Sequence, residues 1–135
     1  MKVLSIQQPW ASLVVHGFKR YETRSWPTEH RGLLAIHASR RFGRVHRELC
    51  SEPAIHACLL AAGIHWHSDL PRGCLVGSVT VAGCLPASEV WDGLDARQRR
   101  LGLWRPGWYA WLLEDAVSLP DAVPLVGQLG LFDLP

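Results

Sequence analysis

The stretch Gly17-Phe18-Lys19-Arg20-Tyr21-Glu22-Thr23-Arg24-Ser25-Trp26 decides how the rest of the chain is read. It sets a glycine stop, a cation, a carboxylate, a second cation and an indole close together. The composition of residues 21–26 is strand-like, and in an extended chain successive side chains point to opposite faces. Glu22, Arg24 and Trp26 then share one face, and Tyr21, Thr23 and Ser25 share the other. A core face does not carry Glu beside Arg without a reason, and a plain solvent face gains nothing from a Trp. The combination suits a recess that holds a flat, polar, anionic ligand.

Upstream, residues 2–6 read as a short strand. Pro9 opens a helix carrying Trp10, Leu13 and Val14 at helical spacing, and Gly17 stops it. Downstream, Pro27 to Gly32 reads as a turn and Leu33 to Ser39 as a strand. Leu34, Ile36 and Ala38 face one side of that strand; Leu33, Ala35, His37 and Ser39 face the other. A helix is expected from Arg41 to Cys50, with Phe42, Val45 and Leu49 as its apolar stripe and Arg40, Arg44 and Arg47 opposite. Ser51 is placed to cap a second helix, with Pro53 in its first turn and Gly63 at its end. Residues 65–73 read as a loop and 74–82 as a strand. A short helix is expected near Asp95 to Leu101, and Trp108 to Glu114 reads as a strand. Pro120 and Pro124 frame a turn before a final apolar strand, or pair of strands, broken by Gly127 and Gly130. Five or six strands with two to four helices make an α+β, mainly β, fold: a small barrel or curled sheet packed by helices.

A chain of 135 residues, 48% hydrophobic and 19% charged, reads as one globular domain spanning 1–135. No run is long enough to cross a bilayer, and the N-terminus breaks off at Pro9 too soon for a signal peptide. The expected compartment is therefore cytoplasmic, and the four Cys are expected as free thiols. Residues 1–50 hold nine Lys/Arg against three Asp/Glu, so the first part of the chain is at +6 and the remainder at −4. Such a field orients an anionic partner toward the N-terminal half. No C-x-x-C pair exists, and Cys50, Cys58, Cys74 and Cys84 lack zinc-finger spacing, so no metal or cofactor is expected.

Several residues carry the candidate chemistry. Lys19 offers a compact charge for a phosphate or carbonyl oxygen, and Arg24 a planar fork that pairs with phosphate or stacks on an indole. Glu22 can accept hydrogen bonds from a base edge or hold the neighbouring cations. Trp26 can serve as a stacking platform. Gln8 and Trp10 stand where a helix begins and backbone N–H groups can meet an anion, with Ser5 near enough in sequence to add a hydrogen bond. His37 and Ser39 share a strand face and can line the same cleft. Arg40, Arg44 and Arg47 form one basic face suited to phosphate contacts.

The run Leu4-Ser5-Ile6-Gln7-Gln8-Pro9-Trp10-Ala11-Ser12-Leu13, followed by Gly17-x-Lys19-x-x-Glu22-x-Arg24-x-Trp26, resembles the ASCH domain family. The Arg31-Gly32 turn, the Ile36-His37-Ala38-Ser39 strand and the closing Gly127-Gln128-Leu129-Gly130-Leu131-Phe132 fit the same family. The resemblance implies a PUA-like β-barrel flanked by helices, with a cleft suited to RNA or a modified nucleobase. Members of that family are mostly described as RNA-binding or coactivator-type modules. One small branch hydrolyses the acyl group from N4-acetylcytidine with a Lys, a Thr three residues later and a distant Glu, and another branch is ribonucleolytic. Lys19 matches that Lys, but Glu22 stands where the Thr would be, which removes the hydroxyl needed for an acyl intermediate.

The first functional expectation is an RNA- or nucleotide-binding module whose cleft is built from Lys19, Glu22, Arg24 and Trp26. The alternative is a hydrolase acting on a modified nucleoside or on RNA, in which Lys19 orients the substrate and Glu22 is the general base. Under the first expectation, Lys19→Ala weakens binding and leaves the melting temperature nearly unchanged.

Overall fold

The computed structural model describes residues 1–135. Six strands form one sheet: β1 (Lys2–Ile6), β2 (Tyr21–Arg24), β3 (Gly32–Ala38), β4 (Cys74–Pro86), β5 (Tyr109–Pro124) and β6 (Leu131–Asp133). Their spatial order is β2-β5-β4-β3-β1-β6. β1 and β3 run parallel, and every other pair is antiparallel. The sheet curls into a half-barrel, so that β2 at one edge faces β1 near the other. The α+β, mainly β class expected from the sequence is the one observed.

Five helices surround the sheet: α1 (Trp10–Val15), α2 (Arg44–Cys50), α3 (Pro53–Ala61), α4 (Ala87–Trp91) and α5 (Ala96–Arg100), with a 3-10 turn at His67–Asp69. That is one more helix than the sequence suggests. The addition is α4, a single turn in a charged stretch with too few residues to show a period. No helix is long and apolar enough to cross a membrane.

α1 ends where expected. Gly17 takes φ +81°, a left-handed conformation that glycine adopts without a Cβ clash. The chain can then reverse directly into Lys19 and β2. α1 lies within the curl and joins two cores. Val14 and Val15 pack with Leu4, Ile6, Leu34, Ile36, Val79, Val81 and the fully buried Trp111 against the sheet. Leu13 turns the other way, toward Ile55, Cys58, Leu59, Leu70 and Leu101 beneath α3 and α5. Fully burying each large aliphatic side chain stabilises by about 1.5–3 kcal/mol, so this one short helix locks sheet to helices.

Four local readings need correction. α2 begins at Arg44 rather than Arg41, because Gly43 stays extended. Val45 is exposed, so the stripe expected from Phe42, Val45 and Leu49 does not form as one face. α3 is capped by Glu52, not Ser51: the Glu52 carboxylate accepts from the Ile55 N–H at 3.0 Å. Residues 120–124 belong to the long β5, and Pro120 falls in an irregular span between the Ser118 and Val123 pairings. Proline is tolerated where no ladder N–H is required, and residues 119–122 have no partner in the β4 register.

Candidate functional site

The curl leaves a cleft of about 810 Å³ between β2, the start of α1, β1, β3 and the segment 125–130. Lys19, Glu22, Arg24 and Trp26 all line it, together with Trp10, His37, Ser39 and Arg40. Thr23 lines it as well, although strand alternation puts it on the face away from Glu22. β2 is an edge strand, and the cleft wraps around it instead of lying against one side.

The charged groups on this wall form a connected chain. Lys19 Nζ donates to Glu22 Oε1 at 3.1 Å and to the Tyr21 carbonyl. Arg24 Nε and Nη2 both point at Glu22 Oε2, at 3.0 and 2.9 Å. Arg24 Nη2 also donates to the Ser5 carbonyl at 2.8 Å. Since Ser5 is on β1 and Arg24 on β2, this guanidinium bridges the two sides of the half-barrel. Charge-assisted bonds of this kind are short and roughly twice as strong as neutral ones.

Lys19 is only 2% exposed and Glu22 only 6%. Burial pushes the Lys19 ammonium below its ordinary pKa, with Glu22 opposing that shift. Burial also works against ionisation of Glu22, but Lys19 and Arg24 together outweigh it and hold the carboxyl below the usual carboxylate range. Gly102, at φ +123°, lies over this group: a Cβ there would sit 3.1 Å from Lys19 Cε. Lys19 is therefore not an accessible cation, and the expectation that Lys19→Ala leaves stability nearly untouched is corrected by its burial. Both Glu22 oxygens are engaged with cations and its pKa is depressed, which makes it a poor general base.

The indoles are more available. Trp26 lies just past the end of β2, half-buried, with its ring edge-on to Trp111 at 5.0 Å. Trp10 is half-buried at the start of α1, with Lys19 Nζ 6.0 Å from its ring. Trp108 joins them on the cleft wall.

A family model described as ASCH domain matches residues 4–120. The chain belongs to the ASCH domain family. Activating signal cointegrator 1 from Homo sapiens is 43% identical over 86 residues, which is 64% of this chain and 15% of that protein. The protein of the same name from Mus musculus gives the same identity and coverage. The chain thus spans about one-seventh of the length of these relatives. In structure, the ASCH protein from Zymomonas mobilis superposes with a TM-score of 0.60 at 17% identity, covering 99% of this chain and 87% of that one. A point mutant of the same protein gives 0.59 with 89% of that chain covered. These structures share the curled sheet and helices of the ASCH fold.

Within this ASCH domain, other candidates fall elsewhere. Gln8 does not reach the cleft. Its side chain is fully buried: Nε2 donates to Ser12 Oγ and to the Pro71 carbonyl, both at 2.8 Å, and Oε1 accepts from the Ser12 N–H. It closes the first turn of α1 and ties it to the loop before β4, a structural role. Arg40 borders the cleft, its guanidinium beside Gly73. Arg44 and Arg47 do not line it. Arg44 pairs with Glu48 on the exposed side of α2, and Arg47 projects to solvent.

The sequence reading missed a second basic surface. Arg97 lies over Phe18 at 5.8 Å, Arg99 over Trp91 at 4.9 Å and Arg105 over Trp108 at 5.5 Å. With Arg100, they concentrate positive charge on α5 and the loop that follows. The net −4 of the C-terminal part hides this local cluster; counting charge in a nine-residue window around Arg97–Arg105 finds it.

Proposed function

We propose that this ASCH domain is an RNA-binding module that admits an unstacked base into the cleft. The base stacks on the Trp26 and Trp108 side of the recess. Arg24 and Arg40 meet its polar edge or flanking phosphate, and Ser39 supplies a neutral hydrogen bond. The Lys19–Glu22 pair shapes the floor and holds Arg24 in place. Arg97, Arg99 and Arg105 follow the RNA backbone outward from the Trp108 lip, and Arg44 and Arg47 take at most peripheral phosphate contacts.

The observation that carries this reading is the joint presence of three indoles and partly exposed guanidinium groups around one cleft. Single-stranded or looped RNA offers the π-faces and phosphates that such walls recognise. Family membership and the similarity to activating signal cointegrator 1 support the same reading. A hydrolytic role for Lys19 and Glu22 gains no support, because each is buried and held by the other.

Fluorescence anisotropy with short single-stranded RNAs, repeated across a salt series, tests the proposal. Binding that weakens steeply with salt and drops further in Trp26→Ala or Trp108→Ala supports it. Absence of binding at low salt, or binding indifferent to both substitutions, rejects it.

A further inference from the structure

On the wall facing the ion-pair chain, β1 and β3 run parallel with Ser5 paired to His37. Ser5 is half-buried and lines the cleft; the His37 ring is 2% exposed behind it. Ser5 Oγ lies 2.9 Å from His37 Nδ1, and His37 Nε2 lies 2.7 Å from the Leu125 carbonyl oxygen. A carbonyl can only accept, so hydrogen-bond logic assigns the proton to Nε2. In the neutral ring Nδ1 is then a lone pair aimed at the Ser5 hydroxyl. A hydroxyl donating to an imidazole, itself oriented by an acceptor on its far side, is the relation of a nucleophile to its general base.

Two neighbours fit that relation. A Cβ at Gly127 would lie 2.8 Å from Ser5 Oγ and 2.6 Å from His37 Cε1, so only glycine lets the segment 125–130 pass beside the pair. Arg24 donates to the Ser5 carbonyl at 2.8 Å, which brings a guanidinium to the same residue.

We propose that Ser5 and His37 form a nucleophile–base dyad that hydrolyses small aryl esters entering the indole-lined cleft. His37 Nδ1 takes the Ser5 proton as Oγ bonds to the acyl carbon. The tetrahedral adduct collapses with cleavage of the ester C–O bond, and the departing aryloxide takes that proton from Nδ1. Water then attacks the acyl-serine, giving its proton to Nδ1. The acyl–Oγ bond breaks, Oγ recovers the proton, and the carboxylic acid leaves. The neutral Leu125 carbonyl steadies an imidazolium less than a carboxylate does, so turnover is slow and covalent labelling is the better readout.

The test is incubation of the folded protein with a fluorophosphonate, followed by intact-mass and peptide mapping, alongside 4-nitrophenyl acetate hydrolysis. The expected result is one adduct, on Ser5, formed at least tenfold faster than in urea-unfolded protein. Labelling and ester hydrolysis disappear in Ser5→Ala, and labelling slows at least tenfold in His37→Gln. No adduct, an adduct on another residue, or Ser5 labelling equally fast in the unfolded chain overturns the proposal without requiring any variant to fold. An unchanged labelling rate in folded His37→Gln removes the dyad. The outcome does not depend on nucleic acid: RNA binding without a Ser5 adduct overturns this inference alone.

Discussion

Lys19, Glu22 and Arg24 on one side, and Arg97, Arg99 and Arg105 on the other, are built from similar residue types and behave oppositely. In the first group Lys19 and Glu22 are saturated, and Arg24 keeps only its Nη1 side open to the cleft. Every charge faces an opposite charge or a carbonyl, and the Lys19 ammonium is almost sealed from water. The second group lies over aromatic faces and pairs with no carboxylate: Arg97 and Arg105 keep their guanidinium hydrogens free for a ligand, and Arg99 donates only to the Trp91 and Asp92 carbonyls. Breaking a buried pair by removing one partner costs about 3–5 kcal/mol, whereas an exposed pair is worth about 0–1 kcal/mol. Within the motif that stands out most in the sequence, Lys19 and Glu22 therefore set the cleft's shape and leave only Arg24 and Trp26 to touch a ligand, while the less conspicuous arginines are placed to meet a partner outside the cleft.

The largest effect that distinguishes the two groups is on stability. Glu22→Ala leaves the Lys19 ammonium buried without its carboxylate and is expected to lose about 3–5 kcal/mol in chemical denaturation. The triple replacement of Arg97, Arg99 and Arg105 by Ala is expected to change stability by about 1 kcal/mol or less. A small loss in Glu22→Ala erases the contrast.

Acid titration sharpens it. Because the folded-state pKa of Glu22 is depressed, its ionisation stabilises the fold at pH values above its unfolded pKa. That contribution is lost as pH falls from about 4.3 toward and through the lower folded-state pKa. Thermal melts should show this acid loss in the wild-type chain and a flatter profile in Glu22→Gln.

Next in size is affinity. Removing a stacking indole costs about 1–3 kcal/mol per base, so Trp108→Ala should weaken RNA binding roughly tenfold. Smaller again is the salt dependence. Arg105→Ala should reduce the slope of log affinity against log salt by about 1 while the melting temperature holds. Arg44→Ala, on the far side of α2, should leave both affinity and slope close to wild type.

The sequence carried the frame of this molecule well where spacing reflects backbone physics. The Gly17 stop, the alternation of Leu34, Ile36 and Ala38, and the gathering of Glu22, Arg24 and Trp26 at one cleft all follow from local pattern. It failed where tertiary context decides. Nothing local says that Lys19 folds back under Gly102, or that Gln8 is consumed by Ser12 and Pro71. Pro120 and Pro124 read locally as turn residues, yet β5 runs through both, with Pro120 in an unpaired stretch and Pro124 opposite Cys74. The Ser5–His37 contact joins residues 32 positions apart through parallel strand register, which no motif spacing reveals.

Photo-crosslinking tests the central claim most directly. A short single-stranded RNA carrying 4-thiouridine is irradiated with the protein, and the adducts are mapped by mass spectrometry. The account predicts crosslinks at Trp26, Trp108 or the adjoining Arg105 loop. Crosslinks confined to α2 or the exposed end of β5, with the cleft unmarked, would contradict it.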